Sequence, residues 1–190
     1  IFLDRRSHNW QQRMCLITFL MLSLSVVLGV PMHIIGMIGR CDTILYTISA
    51  MSWAATLVIM VMYLTQHMRL TVAISSFGTL TQLAESARIV YVAMERPDGF
   101  EETIVFNQVI SLALIIYMVM AAVRHMPTIL ALMSIATITS AYLYTDGDIN
   151  RQIVVIFVIV EIFTCILGEM IRRGIRSMQR ENADYHSTLN

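Results

Sequence analysis

The stretch TLTQLAESARIVYV, residues 79–92, decides how this chain is read. It sets Gln82, Glu85 and Arg88 inside a run, 70–94, whose other residues suit hydrocarbon. Ionisable side chains at membrane depth cost at least ~2.5 kcal/mol each on insertion scales, so they face a protein interior or a wet cavity. At helical spacing Thr71, Ser75, Gly78, Gln82 and Glu85 recur at steps of 4, 3, 4 and 3, a single stripe along one face. Glu85 and Arg88, three residues apart, neutralise each other on that face. A stripe of this kind needs other helices to shelter it.

The rest of the sequence supplies those helices. The 190 residues are 57% hydrophobic and 14% charged, with a mean hydropathy of +0.69. Soluble domains carry roughly 25% charged residues, so composition excludes an ordinary soluble domain. A spanning helix takes about 20 mostly apolar residues. Six segments meet that expectation: 14–30, 43–65, 70–94, 103–123, 127–144 and 149–170. The first carries a possible interfacial continuation in PMHIIGMIG. The links are short, so neighbouring spans are expected to be antiparallel hairpins, with no room for a soluble catalytic domain between them. The expected fold class is an all-α membrane protein: a six-transmembrane-helix bundle with a C-terminal helical extension. Residues 1–13 form an N-terminal segment, 14–170 the membrane domain and 171–190 a juxtamembrane helix or coiled-coil linker.

Arginine placement sets the expected orientation. Arg5, Arg6, Arg13, Arg69, Arg124, Arg172, Arg173, Arg176 and Arg180 fall on one side, whereas Arg40, Arg96 and Arg151 fall on the other. That second side also carries Glu95, Asp98, Glu101, Glu102, Asp146 and Asp148. Both termini are therefore expected to face the cytoplasm. Net charge is zero, which gives no basis for nucleic-acid contact by this segment.

Polar residues cluster by depth. Gln82, Glu85, Arg88 and Tyr91 occupy the outer half of the third span, and Asn107, Gln108 and Ser111 that of the fourth. Thr139, Tyr142 and Tyr144 mark the fifth, and Asp42, Tyr46 and Ser49 the second. An outward-opening polar pocket is expected, with Gln82, Glu85, Arg88, Asn107, Gln108 and Tyr142 as its ligand-binding residues. A small polar or zwitterionic ligand suits it, because its charges would divide the Glu85–Arg88 pair between them. Glu161, near the middle of the sixth span, has no acidic or histidine partner in sequence. An interhelical hydrogen bond in the protonated state is the expectation there, with a proton or cation relay as the sharper reading.

No catalytic or metal signature is found. HExxH, GxSxG and Gly-rich phosphate loops are all missing from the sequence. Cys15, Cys41 and Cys165 fall in different segments without a CxxC, so neither a disulfide framework nor a zinc site is expected. The acidic ERPDGFEE reads as a solvated turn. No enzyme activity and no cofactor are expected.

In the tail, Ile171, Ile175, Met178, Asn182, Tyr185 and Leu189 recur at steps of 4, 3, 4, 3 and 4, the seam of a heptad repeat. Asn182 falls where a single Asn fixes the register of a parallel dimer. A homodimer through Ile175, Met178, Asn182 and Tyr185 is expected. The alternative is an amphipathic helix whose arginines touch anionic headgroups.

Six spans, minimal loops, termini inside and a dimerising exit helix together resemble, in layout and over the whole chain, the membrane domains of bacterial multi-pass sensors. That resemblance includes no specific motif. It implies a ligand sensed in the membrane domain and a signal passed to a cytoplasmic kinase, cyclase or DNA-binding module. Length and span number also suit the substrate-binding subunits of vitamin transporters. The small-residue contact motif of that family is not evident in CLITFLMLSLSVVLGV, and transport gives no reason for the heptad tail. An accessory subunit of a larger complex is the third reading.

Overall fold

The computed structural model describes residues 17, 19–20, 23–24, 43–96, 98–120 and 125–188. It is all-helical, with five helices: α1 (Thr43–Leu64), α2 (Leu70–Glu95), α3 (Phe100–Met120), α4 (Met126–Tyr144) and α5 (Arg151–Thr188).

Each helix ends where the sequence gives a local reason. After α1 the chain turns through Gln66 at φ 61°. Arg96 takes a left-handed conformation and caps α2 through its N–H to the Val92 carbonyl, and Pro97 follows in the sequence. Glu101 and Glu102 lie in the first turn of α3, where the helix dipole favours acids. Pro127 opens α4, and at that position its missing N–H leaves no bond unmade. Asn150 caps α5 by accepting a 2.9 Å bond from the Gln152 N–H.

Four of these helices are long and apolar enough to cross a bilayer: Thr43–Leu64, Phe100–Val119, Met126–Tyr144 and Arg151–Gly174. The expected count of six is not reached, and the two shortfalls have different reasons. Most of 14–30 lies outside the described residues, although Ile17, Phe19, Leu20, Ser23 and Leu24 within it are helical. The 26-residue α2 has the length but not the apolarity, because its polar stripe lowers it.

Packing accounts for that polarity. α2 sits against α1, α3 and α4 together, and α5 packs on α3 and α4. Ten α2 residues are buried, among them Gln82 and Glu85. The polar residues of α2 are thus enclosed by three other helices, as a low-dielectric surrounding demands. By contrast, Ile156, Ile159, Phe163, Ile166 and Met170 form an exposed apolar strip along α5, and Met51, Val58 and Val61 are exposed on α1. Such surface matches hydrocarbon.

Two apolar clusters fill the interior. One gathers Phe19, Phe77, Ile115, Met118 and Leu130, with the Phe19 ring edge-on to Tyr63 and Phe77 at centroid distances of 5.6 and 5.9 Å. The other gathers Ile89, Val92, Ile104, Ile138 and Ile149. The polar layer described next runs between the helices at an intermediate level.

α5 continues as one helix of 38 residues, of which 24 are apolar enough to span. The remaining 14 residues (38 less 24) extend it by about 20 Å at ~1.5 Å per residue. Met178 is exposed on that extension. Its expected seam partners Ile175, Asn182, Tyr185 and Leu189 have side chains outside the described residues.

Candidate functional site

The helix ends at Glu95, Phe100, Tyr144 and Arg151 are tied to one level. Arg96 donates to Asp148 Oδ2 at 2.9 Å and to the Tyr144 carbonyl at 3.2 Å, while the Asn150 N–H donates to Glu101 Oε1 at 3.0 Å. Counting ~1.5 Å per residue from those ends, Glu85, Gln108, Ser134 and Glu161 all lie about 12–15 Å deep. Four helices therefore place polar side chains in one layer, and the layer is built from two connected nodes.

The first node joins α1 and α2. Arg88 Nη1 pairs with Glu85 Oε1 at 2.5 Å, and Arg88 Nη2 donates to Ser49 Oγ at 3.1 Å. The Glu85 side chain is 4% exposed and that of Arg88 18%, so the acid is enclosed while the guanidinium keeps an exposed edge. The charge pair cancels within the node, which is what permits it at this depth.

The second node joins α3, α4 and α5. Gln108 Nε2 donates to Ser134 Oγ at 2.6 Å and to Glu161 Oε1 at 2.7 Å, and Ser134 Oγ donates to the same carboxyl oxygen at 2.7 Å. All three residues are fully buried. Gln82 links the nodes: it lies one turn from Glu85 on α2, and its Nε2 donates to Ser111 Oγ at 3.2 Å, one turn from Gln108 on α3. A further bond, from Thr137 Oγ1 to Ser86 Oγ at 2.9 Å, closes α4 onto α2.

The structure thus brings Gln82, Glu85 and Gln108 into one layer with Arg88, but distributes them differently from the expectation. Gln108 belongs with Glu161 rather than with the ion pair. Asn107 is buried beside it on α3. Tyr142 packs at the rim against the Ile89–Val92 cluster, close to the Gly147 turn. Thr139 and Tyr46, counted in the outer halves of their spans, are exposed.

Sequence reading missed Ser134 and the partnership of Gln108 with Glu161. The signal was available as depth: each of the three lies eight to ten residues from its helix end.

A cavity of about 20 Å³ lies at the opposite end of the bundle, lined by His125, Pro127, Cys165, Gly168, Glu169 and Arg172 among others. Glu169 pairs there with Arg172 and, at 3.0 Å, with Arg173.

Gln108→Leu tests the second node. The variant removes both amide donors and leaves Glu161 with the serine alone. It is expected to destabilise the protein by about 1–3 kcal/mol, the cost of an unsatisfied buried polar group. Unfolding in mixed micelles, followed by far-UV circular dichroism, reads the change; an unchanged midpoint would contradict the node.

No family model, curated protein or solved structure matches this sequence.

Proposed function

We propose that the chain is an integral membrane sensory domain. In this reading it is a six-span bundle of a bacterial inner membrane, with both termini cytoplasmic. It binds a small polar or zwitterionic ligand from the outer side and signals through its C-terminal helix, as a homodimer, to a cytoplasmic output domain. The observation that carries the reading is the unbroken α5. The same helix that anchors the polar layer through Glu161 runs on for 14 residues past its apolar part (38 less 24).

The ligand would act at the first node. Its anionic group competes with Glu85 for Arg88, and its cationic group replaces Arg88 at Glu85. A change there would reach α5 through neighbouring polar side chains, by the Gln82–Ser111 and Gln108–Glu161 bonds that α3 carries one turn apart. Such continuity supports coupling; demonstrated coupling needs a helix whose position both ends bias. Transport by a substrate-binding subunit remains the competing reading, and it has no use for a helix projecting beyond the bilayer.

Disulfide cross-linking in membranes separates the two. Single cysteines replace Met178, Asn182 and Tyr185 in a background with Cys15, Cys41 and Cys165 changed to alanine. The signalling reading expects all three seam positions to cross-link between copies, with yields that shift when Glu161→Gln is added. Absent cross-links, or yields indifferent to Glu161, move the chain to the transport or accessory-subunit reading.

A further inference from the structure

The second node is short of hydrogen-bond donors. Glu161 Oε1 receives both donors that reach the carboxyl group, from Gln108 and Ser134. Its other oxygen, Oε2, is buried without a partner, and so are Gln108 Oε1 and Gln82 Oε1. Each of these three side chains is fully buried, as are Ser111, which bonds Gln82, and Ser134, which bonds Gln108 and Glu161. Buried acceptors of this kind are normally matched by a proton-bearing or positively charged group.

No arginine supplies the charge. Among the described residues, arginines pair with Glu85, Asp148 and Glu169, and none pairs with Glu161. A bare carboxylate at mid-depth is strongly disfavoured, because neither water nor a counter-ion stabilises it.

We propose that Glu161, with the amide oxygen of Gln108 and the hydroxyl of Ser134, forms a binding site for one small monovalent cation, a sodium ion or a proton. The charge count selects a single positive charge: one carboxylate is uncompensated, while Glu85 at the same level is already matched by Arg88. The described His, Cys, Asp and Glu residues form no cluster able to hold a metal ion, so a divalent or transition-metal ion lacks matching ligands.

The amide of Gln108 suits the exchange. It presents Nε2 to the carboxylate; turning about its last torsion presents Oε1 instead, to a sodium ion or to a proton on Glu161 Oε2. Among the described residues, the groups bonded to Glu161 are neutral: Gln108 on α3 and Ser134 on α4. On α5 itself Cys165 lies one turn further along, its Sγ 3.6 Å from the Pro127 carbonyl. The site rests on this node alone and stands whether or not the chain signals.

The test uses the full chain in nanodiscs. Thermal midpoints are measured with sodium chloride against N-methylglucamine chloride at equal ionic strength, across pH 5.5–8.5. In parallel, labelling of Glu161 by the apolar carbodiimide DCCD, which attacks protonated carboxyls within membranes, is followed by peptide mass spectrometry. A sodium site gives a saturable rise of about 5 °C at alkaline pH, and sodium slows the labelling at fixed pH. A proton site gives no sodium response, a midpoint that falls as pH rises, and labelling lost over the same range. Glu161→Gln, which removes the charge and keeps the shape, abolishes whichever response is present, whereas Asp148→Asn at the rim leaves it. The proposal is overturned if wild-type labelling of Glu161 ignores both sodium and pH. It is equally overturned if the midpoint responses survive in Glu161→Gln. The labelling is read on the wild-type chain, so it decides the matter even if Glu161→Gln fails to fold.

Discussion

Arg88→Met is expected to lower the stability of the bundle by about 3–5 kcal/mol, the cost of stripping one partner from a buried ion pair. The Glu85 side chain is only 4% exposed, and its one charged partner among the described residues is Arg88, which also holds Ser49 of α1. Removing the guanidinium leaves a carboxylate enclosed between helices and unties α1 from α2 at one stroke. Methionine keeps the unbranched apolar stem of the side chain, so the loss reports mainly the charge and hydrogen bonds of the guanidinium.

The double variant Glu85→Gln with Arg88→Met should recover most of the loss, because neither residue is then charged. Unfolding of the three chains in mixed micelles makes the comparison. A double variant no better than Arg88→Met would mean that the pair is not the source of the effect. Loss of response to zwitterionic ligands in the double variant, with stability restored, would separate the proposed sensing role of the pair from its structural one.

Gly168→Ala is expected to destabilise the crossing of α3 and α5 by about 1–3 kcal/mol through overpacking. A Cβ at Gly168 would stand 2.6 and 2.7 Å from the two methyl carbons of Val119. Valine is branched at Cβ and held to one rotamer in a helix, so it cannot swing aside. The backbones of the two helices would have to separate. Val119→Ala introduced together with Gly168→Ala should restore much of the stability, which identifies the clash as the cause.

Gly174→Ala is the control: it has open space around its Cβ and should gain about 0.5–1 kcal/mol from the better helix propensity of alanine. Gly78 is an intermediate case. The atom its Cβ would meet is the flexible end of Met118, which can move away. If Gly168→Ala matched Gly174→Ala in effect, the close crossing would be refuted.

Much of the fold was legible because a membrane imposes long apolar runs, and runs are a property of sequence alone. The expected spans from 43 to 170 each correspond to a helix, with ends displaced by a few residues where local hydrogen bonding decides. At 149–170 the structure starts the helix at Arg151 because Asn150 takes the cap, and Ile149 is buried among the rim apolar residues instead. The periodic tail was read as a continuation of the last span, and the backbone of α5 does run helically to Thr188.

The polar side chains were located by sequence in depth but not in azimuth. Gln108, Asn107 and Ser111 were visible as one polar patch on one helix, but which neighbour each would meet depends on how α3 is rotated within the bundle. Nothing along the chain encodes that rotation directly, since α3 has polar and apolar residues on several sides. The rotation is settled by mutual packing, with Gly168 allowing α5 close to Val119 at one end and the Arg96–Asp148 clasp holding the rim at the other.

By itself, then, the sequence determined that the chain is a helical protein with hydrocarbon-compatible spans. It also determined that Glu85 and Arg88, three residues apart, share a face, because helical periodicity and the low dielectric of a membrane act on every segment independently. Only the tertiary structure decided that α2 is enclosed by three other helices, and that Glu161 meets Gln108 and Ser134 across 53 and 27 positions of chain. Contacts of that range depend on the relative rotation of whole helices, which is set by the summed packing of the bundle and by no single residue.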